Sequence, residues 1–158
     1  MRKIALLGVG FATAALTAVT GAGAAHAAPD TGTSGAELDQ RCMSGRVLCI
    51  SKGDTEVRWV VDGEVRESLD ARFGAADTPT REGEFQVDWK SRDHVSSLYG
   101  TPMPFSMFFS GGQAVHYSDD FANVGYDGAS HGCVNIRDYD RLEAVFDEVN
   151  EGDKVVVY

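Results

Sequence analysis

Hydrophobic and polar positions follow a strand-like rhythm along most of the chain after residue 46. Val47 to Ser51 is a short apolar run. In Glu56 to Asp62, Val57, Trp59 and Val61 alternate with other residues. Asp62-Gly63 is a hairpin-turn dipeptide, and Val65 to Phe73 continues as the return strand. Glu84 to Lys90 sets Phe85, Val87 and Trp89 on one face and Glu84, Gln86, Asp88 and Lys90 on the other, which predicts one half-buried strand. Met103 to Ser110 is apolar and aromatic, Gly111-Gly112 turns the chain, and Gln113 to Tyr117 reads as the next strand. The period changes once. Leu142, Val145, Phe146 and Val149 recur at helical spacing, with Asp138 to cap the start and Gly152 to end the segment. Lys154 to Tyr158 is a final strand. Many short strands with one late α-helix predict a mainly β domain, sandwich-like or barrel-like. No internal repeat is visible.

The first residues break this pattern. Arg2 and Lys3 precede an apolar run from Ile4 to Val19, and Ala25-His26-Ala27 offers small residues at the two positions a signal peptidase reads. This order predicts a signal peptide over residues 1–27. The run is short for a membrane span and is followed by Ala, Gly and Thr rather than by a basic stop. Residues 28–41, rich in Thr, Gly and Ser, read as a flexible tether, and residues 42–158 as one domain. The expectation is a secreted protein on the extracellular, cell-wall side, with no membrane contact after cleavage. The charge balance, 14 Lys and Arg against 24 Asp and Glu, gives a net charge of −10. Such a surface has little with which to neutralise phosphates or to bind an anionic membrane, so nucleic acid is not an expected partner.

Three cysteines in an exported chain leave one unpaired. Cys42 and Cys49 lie close together and form the natural short-loop disulfide. Cys42–Cys133 and Cys49–Cys133 remain open by sequence alone. A free Cys133 would need a reason, and chemistry is the obvious one. It stands in Ser130-His131-Gly132-Cys133-Val134-Asn135, after a glycine that permits a tight turn. A thiol becomes a good nucleophile as thiolate, so a nearby imidazole is wanted to take its proton. His116, at the end of the strand Gln113 to Tyr117, is one candidate and His131 the other. Amides around Gly132 and Cys133 could hold a developing oxyanion. A metal site built from His94, His116, His131 and Cys133 is the rival reading. It lacks the two closely spaced ligand pairs of sequence-readable zinc sites, so neither metal nor other cofactor is expected.

These residues resemble the L,D-transpeptidase catalytic domain, also called the YkuD domain. Thr78-Pro79-Thr80 through Gly83-Glu84-Phe85 resembles its Thr-Pro-Thr-Gly-x-Phe segment, with two extra residues, Arg81-Glu82, before the glycine. Val115-His116 resembles the strand carrying the upstream histidine. Ser130-His131-Gly132-Cys133 reproduces the Ser-His-Gly-Cys signature, and Gly152-Asp153 with the following valines resembles the closing strand. The resemblance implies a monomeric YkuD-like β-sandwich or barrel-like domain that acts on peptidoglycan stem peptides without a cofactor. It implies Cys133 as nucleophile and His116 as base, the ring held by a group on the next residue. Ser130, His131, Gly132 and Asn135 would shape the oxyanion and substrate pocket. Tyr117 follows the histidine where Gly is common, which leaves its backbone carbonyl as the candidate partner. Phe105 and Met107 lie on the family's substrate-side strand, although core packing is the simpler role for them. The implied reaction is 3→3 cross-linking through a thioester. Hydrolysis of the same acyl-enzyme and a non-catalytic wall-binding role are the alternatives. A papain-like protease is disfavoured, because it would carry its Cys early and its His far downstream.

Overall fold

Asp62 and Gly63 both take positive φ, 49° and 81°, the backbone of a two-residue turn whose twist matches the strands it joins. That turn couples β2 (Glu56–Val61) to β3 (Glu64–Arg72) as the sequence predicts. The computed structural model describes residues 37–158; the expected signal peptide and residues 28–36 of the expected tether lie outside the described residues.

The described residues form nine strands in one curled sheet. The others are β1 (Arg46–Ser51), β4 (Gly83–Gln86), β5 (Trp89–Val95), β6 (Pro102–Ser110), β7 (Gln113–Tyr117), β8 (Val134–Ile136) and β9 (Lys154–Val157). Their order is β4-β9-β1-β2-β3-β8-β7-β6-β5. β1 runs parallel to β9 and β7 parallel to β8, and the remaining pairs are antiparallel. β3 pairs with β2 over most of its length and with β8 only at Ala71 and Arg72. The sheet therefore bends along β3.

The run Glu84 to Lys90 is not one strand. It divides into β4 and β5, which lie at opposite ends of the strand order. Val87 N–H donates to Asp153 O beside β9, and Asp88 N–H donates to Phe108 O on β6, so these two residues tie the ends together. The alternating pattern continues through the break because Val87 is buried on the core side, while Trp89 is 43% exposed and stacks on Phe108 with centroids 3.8 Å apart. The apolar spacing runs on across the change of partner although the surroundings change, with Val87 in the core and Trp89 on the cleft side.

The predicted late helix is α2 (Tyr139–Glu148), capped by the Asp138 side chain on Arg141 N–H. Leu142, Val145 and Phe146 pack into the main core with Trp59, Phe105, Met107, Val115 and Ile136. A second helix, α1 (Asp119–Val124), joins it. Its six residues bury only Phe121, too little to print a period on the sequence. Cys42 and Cys49 form the short disulfide, on the other face of β1 and β2, packed with Val47, Val60 and Val156. Among the described residues no helix is long and apolar enough to cross a membrane.

Candidate active site

β7 and β8 run side by side with Val115 opposite Val134 and His116 opposite Asn135. Alternation then sends Val115 and Val134 into the core, and His116 and Asn135 to the other face. Cys133, just before β8, falls level with Ala114 on the His116 side. One ladder thus explains why a histidine and a cysteine 17 positions apart in the sequence line one cleft.

The imidazole of His116 is buried, and its Nδ1 lies 2.6 Å from the backbone carbonyl of Tyr117. A carbonyl can only accept, so Nδ1 carries the hydrogen and Nε2 is left as the basic nitrogen. The Tyr117 side chain takes no part. It packs edge-on against Tyr139, with centroids 5.0 Å apart. Burial pushes the His116 imidazole down to about 4; the Tyr117 carbonyl opposes the shift, and His94 adds a small repulsion in the same direction as burial. Cys133 is a free, half-buried thiol, pushed up from its ordinary value by burial and partly stabilised as thiolate by the Ala114 N–H. The resting pair is therefore an uncharged imidazole and an uncharged thiol.

The loop before Cys133 is braced from several sides. Ser130 Oγ donates to Cys133 O at 2.5 Å and accepts from Gly132 N–H at 3.1 Å. Gly132 has φ +114°, and a side chain there would meet Gln113 Nε2 at 2.5 Å. The Thr-Pro-Thr segment lies directly against this loop. Ser130 N–H donates to Phe73 O, Ala75 N–H to Ser130 O, and Thr78 Oγ1 to Ser130 O at 3.4 Å. Thr80, only 2% exposed, accepts from Gly74 N–H at 3.0 Å and reaches Cys133 O at 3.5 Å. Gln113 bridges the two segments, donating to Pro79 O at 3.0 Å and accepting from Arg81 N–H at 3.0 Å. Arg81, one of the two extra residues, donates to Ser110 O at 2.7 Å, and Glu82, the other, pairs with Lys52.

The cleft has a volume of about 1370 Å³. Cys133, His116, Ser130, His131 and Asn135 all line it, whereas Gly132 is buried beneath. His131 is exposed and stacks on Tyr99 at 4.5 Å, from the loop joining β5 to β6. Phe105 and Met107 do not line the cleft; they belong to the core, and Met103, Pro104 and Phe108 line it instead. Phe105 explains the change of phase. Its φ of +57° breaks the alternation, so Met103 and Phe108 share one face although their numbers differ in parity. Sequence reasoning missed Gln113, the bracing role of Thr80, and Arg72, which also lines the cleft. The Thr-Pro-Thr resemblance was the one available signal for Thr80. Among the described residues no group of three or more His, Cys, Asp or Glu side chains is gathered for a metal ion.

Residues 45–157 match the YkuD family, described as an L,D-transpeptidase catalytic domain. The fold is similar to an L,D-transpeptidase (Yku) from Stackebrandtia nassauensis, with a TM-score of 0.66 and 24% identity over 82% of this chain and 61% of that one. It is similar to an L,D-transpeptidase from Mycobacterium smegmatis, with a TM-score of 0.64 and 25% identity over 73% and 58%. It also resembles the L,D-transpeptidase, residues 123–326, from Xylanimonas cellulosilytica DSM 15894, with a TM-score of 0.67 and 27% identity over 77% and 63%. The chain spans about three-fifths of the length of these solved chains. No curated protein matches the sequence.

Proposed function

Since the chain belongs to the L,D-transpeptidase catalytic-domain family, we propose that it forms 3→3 cross-links between peptidoglycan stem peptides through a thioester on Cys133. The observation that carries this reading is a histidine of fixed tautomer on β7 and a free thiol at the entry to the neighbouring β8, both lining one open cleft.

The proton moves as the bond forms. His116 Nε2 takes the Cys133 proton while the sulfur attacks the carbonyl carbon of the third stem residue, a diamino acid. A pair that is uncharged at rest acts by general-base catalysis rather than as a standing ion pair. The oxyanion is held by amides of the Gly132–Cys133 turn; in the free protein the Gly132 amide rests on Ser130 Oγ. Collapse breaks the bond to the terminal D-alanine, whose amine leaves with the proton from His116. An amine of a second stem then attacks the thioester, giving its proton to His116, and Cys133 leaves and is reprotonated. The chain works outside the cytoplasmic membrane in this reading. The Cys42–Cys49 disulfide supports an oxidising compartment, as do the signal-like first residues.

The test is product analysis after incubation with tetrapeptide muropeptides, with Cys133→Ser as control. Cross-linked dimers that disappear in the control are expected. Tripeptide monomers alone would instead make the protein an L,D-carboxypeptidase. Neither product, together with no covalent carbapenem adduct on Cys133 by mass spectrometry, would overturn the enzyme reading and leave a wall-binding domain.

A further inference from the structure

Among the described residues every arginine but one pairs with an Asp or Glu side chain. The exception is Arg81, which lines the cleft that holds Cys133. Neutral groups hold it instead. Nη1 donates to Ser110 O at 2.7 Å and to Ser110 Oγ at 3.1 Å. The turn after Ser110 has room for this contact because it starts with glycine: a side chain on Gly111, at φ +52°, would meet Nη1 at 3.1 Å. The carboxylate next in the chain is engaged elsewhere, since Glu82 pairs with Lys52 at 2.8 Å.

Anchoring Nη1 leaves the other edge of the guanidinium, Nε and Nη2, without a hydrogen-bond partner among the described residues. That edge carries two parallel N–H groups, the fork that matches the two oxygens of a carboxylate. Arg81 is exposed, so the fork is open to a ligand in the cleft. Its backbone is fixed. Gln113 accepts from Arg81 N–H at 3.0 Å and donates to Pro79 O at 3.0 Å, and a side chain on Gly132 would meet Gln113 Nε2 at 2.5 Å. One glutamine amide thus spans from Arg81 to the residue before Cys133. Gly112, beside the anchoring turn, has its carbonyl 4.0 Å from the Cys133 sulfur. A cation with no anion of its own therefore stands on the rim next to the thiol.

We propose that Arg81 is a specificity-determining residue, binding a carboxylate of the stem peptide that acylates Cys133 through its Nε–Nη2 edge. The ligand's identity rests on the acyl-transfer reading. A stem tetrapeptide offers carboxylates in two places, at the terminal D-alanine and on the residues that stay with the thioester.

The test compares three tetrapeptides on the full chain: the free acid, one amidated at the D-alanine terminus, and one amidated at the retained carboxylates. With the wild type, amidation at the bound position should raise KM for acylation by about fivefold, with kcat little changed. In Arg81→Gln the free acid should already show that higher KM, and the same amidation should add nothing. The amidation whose effect vanishes identifies the carboxylate. Arg81→Lys should recover part of the preference for the acid. A residue that only braces the β6–β7 turn would lower Tm in Arg81→Gln and leave both acid-over-amide ratios at their wild-type values, and that result overturns the proposal. So does a wild type indifferent to both amidations. Calorimetric binding to Cys133→Ser repeats the comparison without acylation. Should the wild type form no acyl-enzyme, the acyl-transfer reading falls, while an acid-over-amide preference in Cys133→Ser, lost in Cys133→Ser/Arg81→Gln, still upholds the carboxylate site and its absence overturns it.

Discussion

At the scale of single residues, burial sets the protonation of the candidate pair, His116 and Cys133. His116 is held near 4 in the folded chain against about 6.5 when unfolded. As pH falls through 6.5 the unfolded chain takes up this proton and the folded chain does not, so folding stability is lost down to about 4 and is fully present above 6.5. Between pH 7 and pH 5 the wild type should lose about 2 kcal/mol more than His116→Asn does. Urea denaturation of both proteins at the two pH values checks this, and equal losses would mean that His116 titrates normally in the fold. Cys133 and His116 stand out in the sequence as candidates because their residue types carry a possible chemistry, and the fold brings both to one cleft. Arg72 and Gln113 do not. Each binds neighbours that only the folded chain supplies: Asp120 and the Gly125 carbonyl for Arg72, Pro79 and Arg81 for Gln113.

At the scale of elements, the Ser130–Cys133 loop is only as rigid as the Phe73–Thr80 segment strapped to it. Gly74 makes the close approach possible: a side chain there would meet Thr78 O at 2.0 Å and the Gly132 backbone at 2.9 Å. Thr80→Val keeps the shape but leaves Gly74 N–H without its acceptor, a loss of about 1–3 kcal/mol. The expected outcome is a lower Tm and slower carbapenem acylation of Cys133, both restored by Thr80→Ser; calorimetry and adduct mass spectrometry read the two effects. The elements differed in how plainly the sequence announced them. β2, β3 and α2 were legible because an alternation or a helical period coincides with a turn or cap, at Asp62-Gly63 and at Asp138. The division of Glu84 to Lys90 is hidden because the apolar spacing of Phe85, Val87 and Trp89 is unbroken while the pairing partner changes.

At the scale of the whole molecule, the stabilising clip and the chemistry are separate. The Cys42–Cys49 bond closes a loop of seven residues' separation on the outer face of β1, packed with Val60 and Val156 and away from the cleft-lining residues. A loop this short is worth about 2 kcal/mol by chain entropy, or roughly 8 °C for a domain of this size. The Cys42→Ser/Cys49→Ser double variant should lose that much in Tm and still acylate Cys133 at the wild-type rate. A large drop in that rate would show that the clip shapes the cleft after all. The strand order carries a further consequence. β9, last in the sequence among the described strands, lies between β1 and β4. Neither neighbour can complete its ladder until residues 154–157 have been made, so β4 and the second edge of β1 are the parts of the sheet that wait longest for their partner.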